Sequence, residues 1–500
     1  MMHGLYVLWT GEGMWGWLRP WVPALFKCVV GWYVLRLVYR IYLAPPQPRG
    51  EPVRGSRLVS FGWVGLRKRL SPDKLRIGGV AVPRELESLH LLISGATGAG
   101  KSQTIHGTLD ILRARGTAAI ITDIGSDALR GFGQTADWIM NPLDARSVAW
   151  SPFAEMDGPA DAERLAKSMI PDHEGIEREW FVYSQALVAA ALKRLWEKGA
   201  ATNESLLNAL TLASPADLKT LVQGLPAQAL FHEGAEKMLA SVRGIIGSYL
   251  APYSYLPPEA GPKSWSIRRY VREGKGWLWL SYREDQAAAL RPLLAAWIGE
   301  AVNAKLSMAA ERVRRHWLLL DEVASLGRVQ GLSDALTKGR KYRLCAIVGL
   351  QSISQLRDAY GADGAQTLLS CLSSQLLLRA NDPETAEYAS RHLGDAEVLR
   401  ESISHGQHRT VTRQHHVERL VLASQIQGLP NRVGYLRLAG QDTVRRVYIP
   451  LIRRAARMEA FVPLKLSTPA SVPVPPLPTA PSTRRPPLDA DAILSAGRRN

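Results

Sequence analysis

Short apolar runs separated by longer amphipathic stretches fill the middle of the chain. The runs are residues 90–94, 117–123, 277–282, 317–321, 345–351 and 375–379. Apolar runs of strand length that alternate with helical periodicity predict a parallel sheet covered by helices, an α/β fold. Between residues 155 and 270 this pattern gives way to apolar positions at helical spacing, clearest over residues 180–195 (Trp-Phe-Val-Tyr-Ser-Gln-Ala-Leu-Val-Ala-Ala-Ala-Leu-Lys-Arg-Leu). That stretch predicts an all-α domain inserted into the α/β domain, which would comprise residues 46–154 and 271–460.

Both ends of the chain break the pattern. Trp and aliphatic residues dominate from Trp15 to Leu43, with the densest run from Trp21 to Leu35 interrupted by Lys27. A comfortable membrane span needs roughly 20 apolar residues, so this run is short and Lys27 has to snorkel or face a partner. Arg36, Arg40, Arg49, Arg54 and Arg57 follow it and no small-residue cleavage site does, which predicts an uncleaved anchor over residues 1–45 with its C-terminal side in the cytoplasm. An interfacial helix is the alternative reading. Residues 44–50 (Ala-Pro-Pro-Gln-Pro-Arg-Gly) read as an extended linker. At the other end Pro463, Pro469, Pro473, Pro475, Pro476, Pro478, Pro481, Pro486 and Pro487 exclude helix and sheet, so residues 461–500 predict a flexible tail.

Charge narrows the class of partner. Sixty-two Lys and Arg against 45 Asp and Glu leave a net charge of +17 over 500 residues, which favours a polyanion such as nucleic acid or an anionic membrane face. Arg268, Arg269, Arg312, Arg314, Arg315, Lys338, Lys341 and Arg343 are basic candidates for DNA contact, each equally readable as a solvated charge. The three cysteines, Cys28, Cys345 and Cys371, have no Cys-x-x-Cys spacing and argue against a disulfide framework or structural zinc. His405, His408, His415 and His416 lack a matching Cys or acid pair, so a polar β-hairpin explains them better than a metal site.

The strongest chemical signal is Gly95, Ala96, Thr97, Gly98, Ala99, Gly100, Lys101 and Ser102, a phosphate loop that follows an apolar run. Ile105, Leu109 and Leu112 then recur at helical spacing, so the loop lies between a strand and a helix N-terminus, where N–H groups and the helix dipole attract anions. Lys101 should reach the β- and γ-phosphates of ATP, and Ser102 should ligand Mg2+. Residues 317–322 (Trp-Leu-Leu-Leu-Asp-Glu) add a hydrophobic strand ending in two acids. Asp321 is the metal-side carboxylate and Glu322 the candidate general base, a combination that predicts an ATPase. Gln351 ends the next strand as a candidate γ-phosphate sensor, although a strand-terminal cap fits its spacing equally well. Arg340 is a candidate arginine finger for a neighbouring subunit, against the plainer reading of a solvated basic turn.

Several further blocks occur in one order: residues 139–144 (Ile-Met-Asn-Pro-Leu-Asp), 150–153 (Trp-Ser-Pro-Phe), 281–285 (Ser-Tyr-Arg-Glu-Asp), 290–293 (Leu-Arg-Pro-Leu), 321–326 (Asp-Glu-Val-Ala-Ser-Leu), 336–341 (Leu-Thr-Lys-Gly-Arg-Lys) and 349–352 (Gly-Leu-Gln-Ser). With the phosphate loop they make the chain, from about residue 91 to about residue 448, resemble the TrwB/TraD family of conjugative coupling proteins of type IV secretion. The resemblance implies a RecA-like homo-hexameric ring at the bacterial inner membrane, its main body cytoplasmic, with ATP between subunits. It also implies single-stranded DNA bound to a relaxase as cargo, delivered to a type IV secretion channel. Two features depart from the family. Residues 123–126 read Asp-Ile-Gly-Ser where Asp-Pro-x-Gly is usual, and residues 5–10 are too short to add a second membrane helix. The competing readings are a segregation-type double-stranded DNA translocase, a docking receptor that uses ATP only for assembly, and a protein-export ATPase.

Overall fold

A computed structural model describes residues 29–34, 51–60, 74–309, 314–405 and 409–464. Its strands begin with β1 (Glu51–Gly55) and β2 (Arg57–Ser60), followed by the small hairpin of β3 (Arg76–Ile77) and β4 (Val80–Ala81). The central strands are β5 (Leu91–Ser94), β6 (Ala118–Ile124), β7 (Trp138–Ile139), β8 (Trp277–Tyr282), β9 (His316–Leu320), β10 (Leu344–Leu350) and β11 (Ser374–Leu378). Each of the six apolar runs is a strand, displaced by at most a residue. β12 (Asp395–His405) and β13 (Arg409–Arg419) form a long antiparallel hairpin that also pairs with β1, and β14 (Val433–Arg437) and β15 (Thr443–Tyr448) close the series.

The main sheet has the order β2-β15-β14-β11-β5-β10-β9-β6-β8-β7. From β7 to β11 every pairing is parallel, as the apolar runs imply. These strands are apolar at nearly every position because both faces are covered: Leu92 faces one core and Ile93 the other. The sheet as a whole is mixed, since β14 pairs antiparallel with both β11 and β15. That extension departs from the all-parallel expectation. Its strands carry Arg437, Arg445 and Arg446 among their apolar residues, so no continuous apolar run announces them.

The helical stretch contains Asp161–Met169, Arg178–Glu197, Asn203–Leu207, Pro215–Leu221, Glu236–Leu250 and Ile267–Glu273. Its apolar residues Leu187, Leu192, Val242 and Ile246 belong to the same core as Leu92, Leu280 and Leu318 of the sheet. The helices pack on one another and on the long helix Glu284–Leu306, and their core is continuous with that of one sheet face. Buried Glu155 joins the entry and exit of this stretch. It accepts from Trp150 Nε1 at 2.8 Å, Ser266 Oγ at 3.0 Å and the N–H groups of Ile267 and Arg268 at 2.7 and 2.9 Å.

After β15 the chain crosses back over the helix that follows β5. Ile452 N–H donates to Gln103 Oε1 at 2.7 Å, Arg457 N–H to the Arg130 carbonyl at 2.9 Å, and Val462 N–H to Asp144 Oδ2 at 3.3 Å. The hydrogen-bonded chain thus runs past residue 460, the limit expected for the folded domain. The remainder of the expected tail lies outside the described residues, as does the expected anchor apart from the helical turn 29–34. Among the described residues no helix is long and apolar enough to cross a membrane.

Gly349 sets the spacing between β9 and β10. A Cβ there would stand 1.8 Å from the Asp321 carbonyl oxygen, a clash that only backbone displacement relieves. Gly349→Ala should therefore lower the thermal midpoint by roughly 5 °C. Thermal unfolding followed by circular dichroism checks this, and an unchanged midpoint would mean that the two strands have room to part.

Candidate functional site

The loop at 95–100 is held by its backbone before any side chain acts. Gly95 N–H donates to the Leu350 carbonyl at 3.0 Å and Ala96 N–H to the Arg379 carbonyl at 2.7 Å, so the loop is stitched between the ends of β10 and β11. Gly98 and Gly100 take φ values of 74° and 120°, where a Cβ is strained, and a Cβ on Gly95 would come 2.7 Å from Leu378 Cβ. The helix Lys101–Ala114 starts directly after the loop, so its free N–H groups and dipole face whatever the loop holds. Lys101 Nζ donates to the Gly95 carbonyl at 2.6 Å and to the Ala96 carbonyl at 3.5 Å, which places a cation across the loop's concavity. Burial lowers the Lys101 pKa, while Glu322 and Asp321 oppose that shift. Such a loop binds polyphosphate.

Two carboxylates face it from the end of β9. Ser102 Oγ donates to Asp321 Oδ2 at 3.5 Å, and Asp321 N–H donates to Thr122 Oγ1 on β6 at 3.1 Å. Asp321 Oδ1 is buried and has no hydrogen-bond partner. A buried carboxylate oxygen without a donor is costly unless a cation meets it. Ser102 and Asp321 therefore fit a hard divalent ion such as Mg2+, which takes oxygen ligands. Burial raises the Asp321 pKa, with Lys101 and the Ser102 hydroxyl acting against it. Glu322 accepts from Gln351 N–H at 3.3 Å, and burial pushes its pKa up to about 7 despite Lys101. Glu322 and Gln351 also line a cavity of about 1080 Å3 that reaches His173, Tyr249, Arg291 and Arg328.

The structure thus gathers the loop, Lys101, Ser102, Asp321, Glu322 and Gln351 at one edge of the sheet. Arg340 is not with them. It lies in the turn Gly339–Tyr342 before β10, at the opposite end of the strand whose far end carries Gln351. Seven residues of strand span roughly 20 Å, so Arg340 cannot serve the loop of its own subunit.

Several other candidates have work inside the fold. Asp123 accepts from the N–H groups of Ala128 and Leu129 at 3.2 and 2.7 Å and so caps the helix Asp127–Phe132. Burial pushes its pKa up to about 7 against those two hydrogen bonds. Arg268 pairs with Asp157 and Asp161, Arg315 with Glu87, and Lys338 with Asp334. His415 and His416 sit on β13 of the hairpin, and His415 Nδ1 lies 2.9 Å from Glu397 Oε1. The parts played by Thr122 and Arg379 escaped sequence reasoning because each acts on the site through position or main chain. Only the three-dimensional pairing of β6, β9, β10 and β11 brings them to it.

Comparison with known proteins adds a family. The model described as the type IV secretion-system coupling protein DNA-binding domain matches residues 74–450. The coupling protein TraD of Escherichia coli (strain K12) is 27% identical over 482 residues, covering 93% of this chain and 67% of TraD. Plasmid coupling protein TrwB in complex with the ATP analogue ADPNP aligns at 35% identity with a TM-score of 0.76, covering 84% of this chain and 98% of that one. TrwB in complex with ADP and Mg2+ gives the same identity and TM-score, with 84% and 99% covered.

The unpartnered Asp321 Oδ1 predicts a specific metal effect. Mg2+ should tighten pyrophosphate binding to the chain, and Asp321→Asn should reduce that gain by about tenfold or more while leaving metal-free binding intact. Isothermal titration calorimetry with pyrophosphate, with and without Mg2+, provides the check. An undiminished Mg2+ effect in the variant would exclude Asp321 as a ligand.

Proposed function

The chain belongs to the type IV secretion-system coupling-protein family, and from that membership we propose that it is an ATP-driven motor which moves DNA towards a secretion channel in conjugative transfer. It is a coupling protein of conjugation, and ATP with Mg2+ is its nucleotide. The observation that carries the motor reading is the convergence of Lys101, Ser102, Asp321, Glu322 and Gln351 on one sheet edge.

In this reading the loop N–H groups and Lys101 hold the phosphates. Ser102 and Asp321 would hold Mg2+, which would supply positive charge against the phosphate oxygens. Glu322 takes a proton from the attacking water as the water oxygen bonds to the γ-phosphorus. The bond to the bridging oxygen breaks, and ADP leaves with its electron pair. Gln351 N–H fixes Glu322 by its hydrogen bond to Oε1. The cavity beside the pair leaves room for water to arrive. Arg340 would act on the site of an adjacent subunit, which requires an oligomer, and the family resemblance supports a homo-hexamer. The cargo is then single-stranded DNA carried with its relaxase, bound through phosphate contacts that weaken as salt rises. The apolar residues before position 45 would tether the ring to the inner membrane with its main body in the cytoplasm.

ATP hydrolysis by the full chain in detergent, with and without single-stranded DNA, tests the proposal. DNA should stimulate turnover, and both Lys101→Ala and Glu322→Gln should lower it by about 100-fold or more. ATP binding with no turnover at any DNA or protein concentration would instead make the chain a docking receptor. The pH profile carries a second expectation. Because Glu322 titrates near pH 7 and must be deprotonated to accept a proton, turnover should fall about tenfold per pH unit below that point. A rate flat between pH 5 and pH 8 would remove Glu322 as the base.

A further inference from the structure

Two residues outside every motif flank the phosphate loop on the side away from the catalytic acids. β11 runs parallel to β5, β14 antiparallel to β11, and β15 antiparallel to β14. The start of β14 and the end of β15 therefore arrive at the same sheet edge as the loop. Arg432 directly precedes β14, and Tyr448 ends β15.

Arg432 is built into the loop. Its N–H donates to the Ala99 carbonyl at 2.8 Å, and its own carbonyl accepts from Ile449 N–H at 2.7 Å. It holds φ at 64°, a left-handed conformation that a non-glycine residue keeps only where its surroundings impose it. Its side chain passes so close to Gly100 that an added Cβ there would meet Arg432 Cγ at 3.4 Å. The guanidinium then stands over the Tyr448 ring, with Cζ 5.0 Å from the ring centroid. Beyond Tyr448 the chain passes at once to Ile452, whose N–H is bonded to Gln103 in the first turn of the loop's helix.

The direction of a bound nucleotide follows from the catalytic side. Glu322 and Gln351 stand at the ends of β9 and β10, so the terminal phosphate belongs on that side of β5. A polyphosphate crossing the helix N-terminus carries its other end towards β11, β14 and β15. We propose that Arg432 and Tyr448 form the nucleoside subsite, a cationic and aromatic platform on which the base of the nucleotide stacks. The assignment rests on the reading of the loop as a nucleotide site. It explains why an arginine is held in a left-handed conformation against the loop, where glycine would relieve the backbone.

Isothermal titration of the full chain with Mg2+–ADP and with Mg2+–pyrophosphate separates nucleoside from phosphate binding. Arg432→Gly removes the guanidinium yet suits the positive φ and keeps both main-chain hydrogen bonds. It should weaken ADP about tenfold and leave pyrophosphate within about twofold of the parent, as expected for loss of one stacking partner. Tyr448→Leu should do the same, and Tyr448→Phe, which keeps the ring, should bind ADP like the parent. Equal weakening of both ligands would overturn the proposal by making the pair only a support for the loop, and unchanged ADP affinity in Arg432→Gly and Tyr448→Leu would also overturn it. If Lys101→Ala fails to weaken pyrophosphate, the nucleotide-site reading itself falls and takes the subsite with it.

Discussion

Two main-chain hydrogen bonds, from Gly95 to Leu350 and from Ala96 to Arg379, hold the phosphate loop between the strands on either side of it. Everything else at the site takes its position from that seam. β5, β10 and β11 have to stay in parallel register for the two carbonyls to lie where the loop needs them. Register in a sheet buried on both faces is fixed by packing, because a one-residue slip would exchange Leu92 and Ile93 between two different cores. The chemistry therefore depends on a hydrophobic arrangement many residues wide, and the loop borrows its rigidity from it.

The same constraint explains the close approach of β9 and β10. Gly349 lies against the Asp321 backbone, and only a residue without a side chain permits that spacing. The spacing in turn brings Gln351 N–H to Glu322 and leaves Asp321 beside Ser102. The two neighbouring acids end in different environments as a result. Asp321 has a hydroxyl on one oxygen and no partner on the other, whereas Glu322 has a backbone donor and lines the large cavity.

Much of this was legible in the sequence, and the reasons are physical. Parallel strands covered on both faces are continuously apolar, so the six runs stand out, and a phosphate loop between a strand and a helix is a local pattern. What was not legible depends on pairing between distant segments. β14 and β15 are short and broken by Arg437, Arg445 and Arg446, so they look like surface hairpin, yet they extend the main sheet. The helical stretch reads as an inserted domain by periodicity, and that its core, with Val242, runs on into that of the sheet, with Leu318, is something no local window can reveal. Thr122, Arg379 and Arg432 touch the site through a hydroxyl or a carbonyl or an N–H, and such contacts leave no signature in residue type.

Burial also settles how the carboxylates of this edge divide their roles. Burial raises the pKa of Asp123, Asp321 and Glu322, the Asp321 charge adds to the rise at Asp123 and Glu322, and Lys101 opposes it at Asp321 and Glu322. Three buried anions with one ammonium near two of them would be an unstable balance if all three were charged. Asp123 is occupied by a structural task, accepting two helix N–H groups, one on each oxygen. Glu322 escapes it by titrating near neutrality, which is the property a proton acceptor needs. Asp321 has neither outlet, since its second oxygen is buried without a donor, and a divalent cation shared with Ser102 would remove that imbalance. The departure of residues 123–126 from the family pattern is consistent with this division, because the turn that follows Asp123 serves the helix it caps.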